Sequence, residues 1–179
     1  MKTLLQSLRV LILLTIFTGV LYPILVMLLA GAFFHDKASG SLITKNSTVI
    51  GSSLLAQHTE RDDLFWPRPS SCDYGAVPSG ASNLGPTSSA LAKVVDDRRK
   101  QLGDHAPVDL LTTSGSGLDP DISPEAALFQ ITRISKARNM PSSRLEELVR
   151  THTESPQFKI LGLPRVNVFA LNIELNQLQ

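Results

Sequence analysis

Residues 10–34 read VLILLTIFTGVLYPILVMLLAGAFF and contain no charged side chain. A helix of this stretch reaches roughly 37 Å at ~1.5 Å of rise per residue, which exceeds the ~30 Å hydrocarbon core of a bilayer. Charged or titratable residues flank it on both sides, namely Lys2, Arg9, His35, Asp36 and Lys37. The sequence therefore predicts a single transmembrane helix over residues 10–34.

This apolar stretch has two alternative interpretations. The first is a cleavable signal peptide, because Lys2 and Arg9 form a basic start and residues 30–32 read Ala-Gly-Ala, as at many cleavage sites. The apolar part of a signal peptide is usually ~7–15 residues long, so the length of this stretch favours a helix that is retained. The second alternative is a helix that anchors the chain and contacts no partner.

A stripe of small and hydroxylated residues argues for a partner helix. Thr15, Thr18, Gly19 and Tyr22 stand at helical spacing i, i+3, i+4 and i+7, which places them on one face. Thr15 and Gly19 form a small-xxx-small pair of the kind that lets two helices approach closely in lipid. Pro23 lacks an N–H and is expected to kink the helix.

The orientation follows from the basic residues near the helix ends. Lys2 and Arg9 nearly balance Lys37 and Lys45, but the short basic N-terminal tail favours a cytoplasmic N-terminus. We therefore predict a cytoplasmic tail, the helix, a tether and one extracytoplasmic domain: residues 1–9, 10–34, 35–47 and 48–179.

Composition limits the classes of function. Lys and Arg number 17 against 16 Asp and Glu, and no basic run has aromatic residues interleaved, so we expect no nucleic acid partner. The single cysteine, Cys72, excludes an intrachain disulfide, and no Cys/His spacing suggests a zinc site. We therefore predict no metal site and no cofactor of the chain's own.

The domain mixes predicted strands with predicted helices and lacks a strict βαβ repeat, which indicates an α+β fold. Ser123, with Pro124 after it, is expected to cap one helix, and residues 143–146 read as a capping box for the next. The predicted strands are residues 48–55, 107–113 and 165–175, and the predicted helices run from Thr87 or Ser88 to Gly103, over 124–139 and over 144–152.

Two loop regions are candidates for binding. Arg68 stands between Pro67 and Pro69, which restrict the backbone, so we predict a rigidly presented arginine at a partner interface or in a packed loop. Residues 114–124 join two glycines to a helix start, but Asp119 and Asp121 oppose an anion there. A divalent cation on these carboxylates is one interpretation, and a loop stabilised by Asx turns is favoured.

Sequence signatures of catalysis are missing. The chain has no Gly-Lys pair and therefore no Walker A loop. It also has no Gly-x-Ser-x-Gly nucleophile elbow. We therefore predict a protein that is not itself an enzyme.

Many separated blocks of the chain occur in the order typical of one family. The blocks are residues 51–52, 57, 68–70, 79–80, 82–86, 114–120, 122–124, 126–127, 130, 133, 137–138, 165–168 and 171–172. Together with the single N-terminal helix, they resemble the C subunit of the Kdp potassium-transporting ATPase over nearly the whole length.

The resemblance implies an accessory subunit of a high-affinity potassium uptake complex in the bacterial inner membrane. Its implied partners are a channel-like A subunit, a P-type B subunit that hydrolyses ATP, a small F subunit and membrane lipid. The implied roles are assembly of the complex and a catalytic chaperone function that raises the ATP affinity of the pump subunit. ATP would then belong to the complex.

The resemblance also implies candidate nucleotide-binding residues, namely Ser79, Gly80, Ser82 and Gln130. The chain departs from the family pattern at Ala81, where a second glycine is usual, and at Asp121, where histidine is common. Both departures weaken a phosphate site. The alternative function is a membrane-anchored extracytoplasmic sensor or hydrolase domain that is unrelated to transport.

The stripe on the apolar helix gives the first testable prediction. Gly19→Leu should lower the recovery of the assembled complex on a sizing column, because a large side chain separates the two helix backbones. The loss should be partial, since helix contacts in lipid contribute only ~1 kcal/mol each. Leu28→Val is the matched control, and equal recovery of both variants would contradict a specific interface.

Overall fold

The computed structural model describes residues 1–178 and divides into two compact units, Met1–Ile50 and the chain from Gly51 onward. The first unit is dominated by a continuous helix, Lys2–Phe33, made of α1 (Lys2–Ile16), a π-helical turn (Phe17–Leu21) and α2 (Tyr22–Phe33). It is long and apolar enough to cross a membrane. The predicted N-terminal apolar helix is therefore confirmed, and it begins near the N-terminus of the chain.

The π-helical turn lies directly before Pro23. The Tyr22 N–H donates to the Phe17 carbonyl, five residues back, and Thr18 Oγ1 donates to the Leu14 carbonyl at 2.7 Å. A proline ring clashes with the carbonyl four residues before it, and a wider turn at that place relieves the clash. The structure thus has a π-helical turn directly before Pro23, and the predicted kink of the helix axis stays a prediction.

The segment predicted as a tether, residues 35–47, holds regular structure. It contains the short helix α3 (His35–Ala38) and the strand β1 (Leu42–Lys45), which pairs with β2 (Thr48–Ser52). Asn46 and Ser47 connect the strands with φ of 52° and 63°, as in the two-residue turns of tight hairpins.

The second unit packs its helices around a small antiparallel sheet. Its elements are α4 (Ser89–Leu102), α5 (Val108–Leu111), β3 (Asp121–Ile122), α6 (Pro124–Arg138), α7 (Ser142–Thr151), β4 (Thr153–Glu154), β5 (Arg165–Asn167) and α8 (Val168–Leu175). Strand β5 is central, with Val166 opposite Ile122 on one side and Thr153 on the other. Val166 is fully buried, as are Phe65, Ile134 and Leu145 in the same core.

Side-chain caps explain where three helices begin. The Ser123 hydroxyl accepts from the Ala126 N–H at 3.1 Å, Asn167 accepts from Ala170, and Ser88 accepts from Leu91. The predicted cap at Ser123 is thus confirmed, and of the two candidates Thr87 and Ser88 the structure uses Ser88. The predicted capping box at residues 143–146 is wrong, because α7 begins after Pro141 without a side-chain cap.

Two predicted strands are helical. Within residues 107–113, the segment Val108–Leu111 forms α5, and its adjacent residues Leu110 and Leu111 are both buried. A half-buried strand would bury only one of two adjacent side chains. In residues 165–175 only the first three are strand, and the rest form α8. The buried residues of α8, Val168, Leu171 and Leu175, have helical spacing. This spacing outweighs the β-propensity of the β-branched and aromatic residues in the segment.

Two amide side chains hold the extended segment at Phe65 and Trp66. Asn172 of α8 accepts from the Phe65 N–H at 2.8 Å and donates to the Phe65 carbonyl at 2.9 Å. Gln130 of α6 accepts from the Trp66 N–H at 2.7 Å and donates to the Trp66 carbonyl at 3.1 Å. The two amides thus replace a neighbouring strand for these residues, and we call the arrangement the amide clamp.

Two arginines of α6 extend the clamp toward residues 61–64. Arg133 donates to the carbonyls of Arg61, Asp62 and Leu64 and lies 3.8 Å from the Trp66 ring centroid. Its burial lowers the pKa of Arg133 to about 10. The Arg138 side chain is only 3% exposed, and it donates to the Asp63 carbonyl at 2.6 Å and also pairs with the Asp63 carboxylate.

The amide clamp gives a stability prediction. Gln130→Leu should lower the free energy of unfolding by about 2 kcal/mol. The reason is that the N–H and the carbonyl of Trp66, a half-buried residue, both lose their hydrogen-bond partner. Urea unfolding of the detergent-solubilised chain can be followed by the fluorescence of Trp66, its single tryptophan. Gln101→Leu, at an exposed position of α4, is the control, and equal stability of the two variants would contradict the clamp.

Candidate functional site

Three irregular segments pack against one another and form what we call the loop cluster: residues 68–75, 79–83 and 113–119. The Ser114 N–H donates to the Pro69 carbonyl at 3.1 Å, the Ser71 hydroxyl donates to the Gly80 carbonyl at 2.5 Å, and Thr113 Oγ1 lies 3.4 Å from Ser82 Oγ. The resemblance blocks 68–70, 79–80, 82–86 and 114–120 therefore converge on one place in the fold.

Arg68 lies inside the loop cluster. Its side chain is 25% exposed and pairs with the Asp119 carboxylate at 3.4 Å. Its other terminal nitrogen lies 3.5 Å from the Thr113 carbonyl. The backbone of Arg68 is also used, since its carbonyl accepts from the Tyr74 hydroxyl at 3.0 Å. Of the two predicted settings, the geometry favours the packed loop.

Ser70 organises the turn that follows Arg68. Its hydroxyl accepts from the N–H groups of Cys72 and Tyr74 at 3.1 and 3.0 Å and lies 3.3 Å from Cys72 Sγ. The hydrogen bond with Ser70, together with those involving the backbone of Gly80 and Gly75, lowers the pKa of the Cys72 thiol. These bonds hold the thiol inside the turn.

Gly117 permits the close approach of the segments. Its φ is 71°, and a Cβ at this position would meet Cys72 Sγ, lie 2.9 Å from the Gly80 carbonyl oxygen and lie 3.1 Å from Ser70 Oγ. Any larger residue would therefore push all three segments apart and would also strain its own backbone. The glycine is a packing requirement of the cluster.

The four candidate nucleotide residues lie in different settings. Ser79 is exposed, while Gly80 and Ser82 are bonded within the loop cluster. Gln130 is 3% exposed and belongs to the amide clamp. Its oxygen accepts from Trp66 and Arg133, and its nitrogen donates to Trp66 and Ala126. Every hydrogen-bonding position of this amide is therefore used inside the domain.

The two aspartates at the end of the cluster have separate partners. Asp119 accepts from the Asp121 N–H at 3.1 Å, which is the Asx turn that the sequence favours, and it also pairs with Arg68. Asp121 pairs with Arg165 at 3.1 Å and accepts from Asn167 at 3.3 Å. Burial raises the pKa of Asp121, although Arg165 opposes this effect.

A cavity of about 410 Å³ opens beside the loop cluster. Pro67, Pro69 and Tyr74 line it together with Trp66 and residues of α4 and α5. At its edge, His58 lies 3.0 Å from the Asp73 carboxylate and 3.4 Å from that of Glu60. The concave surface thus combines an aromatic and proline-rich wall with a charged rim.

Sequence reasoning missed the residues that position these loops. Arg133 and Arg138 have no predicted role in the sequence, whereas in the structure they bind residues 61–64. Asn167 and Asn172 fell in a predicted strand, whereas one caps α8 and the other binds Phe65. The available signal was the presence of all four in the resemblance blocks.

The predicted helix-contact residues lie around the π-helical turn. Thr15 is in α1, Thr18 and Gly19 are in the turn, and Tyr22 begins α2. The nearest atom to a Cβ on Gly19 would be Thr15 Cγ2 at 4.0 Å, so the chain itself leaves room for a larger side chain. Contact with a partner helix stays a prediction.

Known proteins of one family match nearly the whole chain. The sequence model of the family described as K+-transporting ATPase, c chain, matches residues 4–177. The potassium-transporting ATPase KdpC subunit of Methylobacterium nodulans is 47% identical over 184 residues, which cover 92% of each chain. That of Bradyrhizobium diazoefficiens is 47% identical and covers 93% of this chain and 92% of its own length. That of Rhodopseudomonas palustris strain BisB18 is 44% identical and covers 98% of each chain.

These matches extend across the apolar helix, the loop cluster and the amide clamp. They argue against the alternative function, a sensor or hydrolase domain unrelated to transport. The chain belongs to the KdpC family and is a membrane-associated subunit of the potassium-transporting ATPase, a potassium uptake complex.

Proposed function

We propose that this chain is an accessory subunit that assembles and stabilises the potassium-transporting complex without catalysing a reaction itself. The N-terminal helix anchors it, and the domain docks as a preformed surface on the channel-like A subunit. The observation that carries this proposal is the internal use of Gln130, whose four hydrogen-bonding positions are occupied within the domain. A residue bound in this way supports the fold and has no free group for a nucleotide.

The loop cluster supplies the docking surface in this proposal. Its segments are held by the Arg68–Asp119 pair, by the hydroxyl of Ser70 and by the close packing at Gly117. Loops that are ordered before binding lose less conformational freedom on association. The adjacent cavity of about 410 Å³ has the concave, aromatic-lined form that suits an inserted side chain of a partner.

ATP acts in this proposal through the complex. The P-type B subunit binds and hydrolyses it, and the F subunit completes the assembly. An effect of this chain on ATP affinity would then pass through docking, since Gly80 and Ser82 are bonded inside the loop cluster and Gln130 is buried.

The orientation belongs to the same proposal. The chain lies in the bacterial inner membrane with a cytoplasmic N-terminus and an extracytoplasmic domain. Lys2 and Arg9 at the start of the apolar helix support this orientation through the positive-inside rule. An extracytoplasmic domain is separated from cytoplasmic ATP, which agrees with a docking role.

Assembly and nucleotide affinity can be separated in one experiment. Arg68→Ala should lower both the recovery of the assembled complex and its potassium-stimulated ATP hydrolysis, because the loop cluster loses its central ion pair. The KM for ATP of the complex that remains should be unchanged. Arg99→Ala, at an exposed arginine of α4, is the control. An intact complex with a raised KM for ATP would contradict the proposal.

The orientation can be tested by chemical labelling. In a Cys72→Ser background, a cysteine at Ser41 should react with a membrane-impermeant thiol reagent added to whole spheroplasts. A cysteine at Ser7 should react only after the membrane is permeabilised. The reverse labelling pattern would place the domain in the cytoplasm and would reopen direct contact with ATP.

A further inference from the structure

The connection between β4 and β5 exposes a concentrated apolar surface. Residues 156–164 follow the end of β4 at Glu154 and precede the start of β5 at Arg165. Three of their side chains, those of Phe158, Ile160 and Leu163, are each at least 80% exposed, and Leu161 is 56% exposed. We call residues 156–164 the apolar tip. Soluble proteins seldom expose several large apolar side chains in one short loop. Where such a patch occurs, it usually marks a contact with a partner protein or a membrane.

The apolar tip has a defined conformation. Gln157 and Leu161 exchange backbone hydrogen bonds of 3.0 and 2.9 Å, and the Ile160 N–H donates to the Gln157 carbonyl at 3.2 Å. Phe158 and Lys159 take left-handed φ values of 53° and 65°, which L residues adopt at some energetic cost. The turn therefore holds its apolar side chains outward instead of letting them collapse onto the domain.

The base of the tip is closed by polar contacts. Glu154 and Arg165 are opposite each other in the β4–β5 ladder, and their side chains pair at 2.9 Å. The paired charges of Glu154 and Arg165 thus lie at the base of the tip, just before its exposed apolar side chains. The boundary between a charged base and an apolar end resembles the boundary between water and the acyl region of a bilayer.

Charge and shape favour lipid as the occupant. Lys159 is the single charged residue among residues 155–164, which include no acidic residue. A basic group beside apolar side chains is complementary to an anionic lipid surface. The tip is a narrow projecting turn, and a deformable bilayer interface receives such a shape without a matching pocket.

The apolar helix makes this contact easy to form. The helix Lys2–Phe33 and the tip belong to one covalent chain, so a bilayer that holds the helix is also present for the domain. Binding of the apolar tip to the bilayer is then effectively intramolecular, so a modest apolar surface is sufficient for contact. Contact of the tip with lipid requires a membrane-associated chain and does not depend on how the loop cluster docks.

We propose that the apolar tip inserts into the interfacial region of the bilayer, with Phe158, Ile160 and Leu163 among the acyl chains and Lys159 at the anionic headgroups. The tip is then a second, reversible membrane contact of the domain. It limits the motion of the domain at the bilayer surface and favours orientations from which a partner subunit can be reached.

Depth-dependent quenching tests this proposal on the full chain in vesicles. A Cys72→Ser chain carries one cysteine at Phe158 or Leu163, labelled with an environment-sensitive fluorophore, in phosphatidylethanolamine and phosphatidylglycerol. Nitroxide-labelled lipid should quench both labels at least threefold more than a label at Val77, and aqueous iodide should quench mainly the Val77 label. Val77 is the matched control because it is 93% exposed and apolar but lies outside the tip.

A charge variant tests the headgroup contact. Lys159→Glu, or exchange of phosphatidylglycerol for phosphatidylcholine, should weaken insertion roughly fivefold, as expected for one basic residue at an anionic surface. An unchanged Trp66 emission spectrum shows that each variant is folded.

Two results would overturn the proposal. The first is equal iodide quenching at Phe158, Leu163 and Val77, which would place the tip in water. The second is shielding of the tip labels that appears only when the partner subunits are added and that is unaccompanied by lipid quenching. This second result would assign the tip to a protein contact. Recovery of the complex, measured separately on the same variants, reports on the assembly role and distinguishes its failure from failure of tip insertion.

Discussion

The amide clamp is the interaction on which the rest of the domain depends. Two consecutive backbone units, at Phe65 and Trp66, are bound by the side chains of Gln130 and Asn172, which come from different helices. The clamp fixes an extended segment against the core without a strand beside it. Because Phe65 is fully buried, its peptide groups need partners of their own, and the two amides meet that need. The proline-flanked Arg68 and the loops around it start from the end of this segment.

The loop cluster shows how a set of separated sequence blocks can form one structural unit. Segments around Ser70, Gly80 and Gly117 come within contact distance because a glycine leaves space at their meeting point. Arg68 and Asp119 lie 51 residues apart in the chain and pair within the cluster. Several polar groups of these segments bond to one another. In the proposed function, the cluster therefore shapes a docking surface for a partner subunit.

Two features connect the fold to the membrane. The helix Lys2–Phe33 has the length and composition of a membrane span, and its π-helical turn before Pro23 is the natural consequence of a proline within a long helix. The apolar tip offers a second, much weaker contact. Together they suit a subunit whose domain works beside a bilayer, with an anchor that is permanent and a contact that is reversible.

The sequence by itself determined the apolar helix, the mixed α+β composition, the cap at Ser123 and the family, because these depend on local composition, on helical spacing and on the order of short blocks. Only the tertiary structure decided that residues 168–175 are helical, that Arg68 faces inward and that Gln130 is a clamp. The physical reason is that each of these depends on residues far along the chain. Arg68 turns inward to Asp119, and Gln130 is occupied by Trp66. The helix α8 buries its apolar face in the common core. Local propensity describes what a segment prefers alone, whereas burial and long-range hydrogen bonds choose among the conformations that it permits.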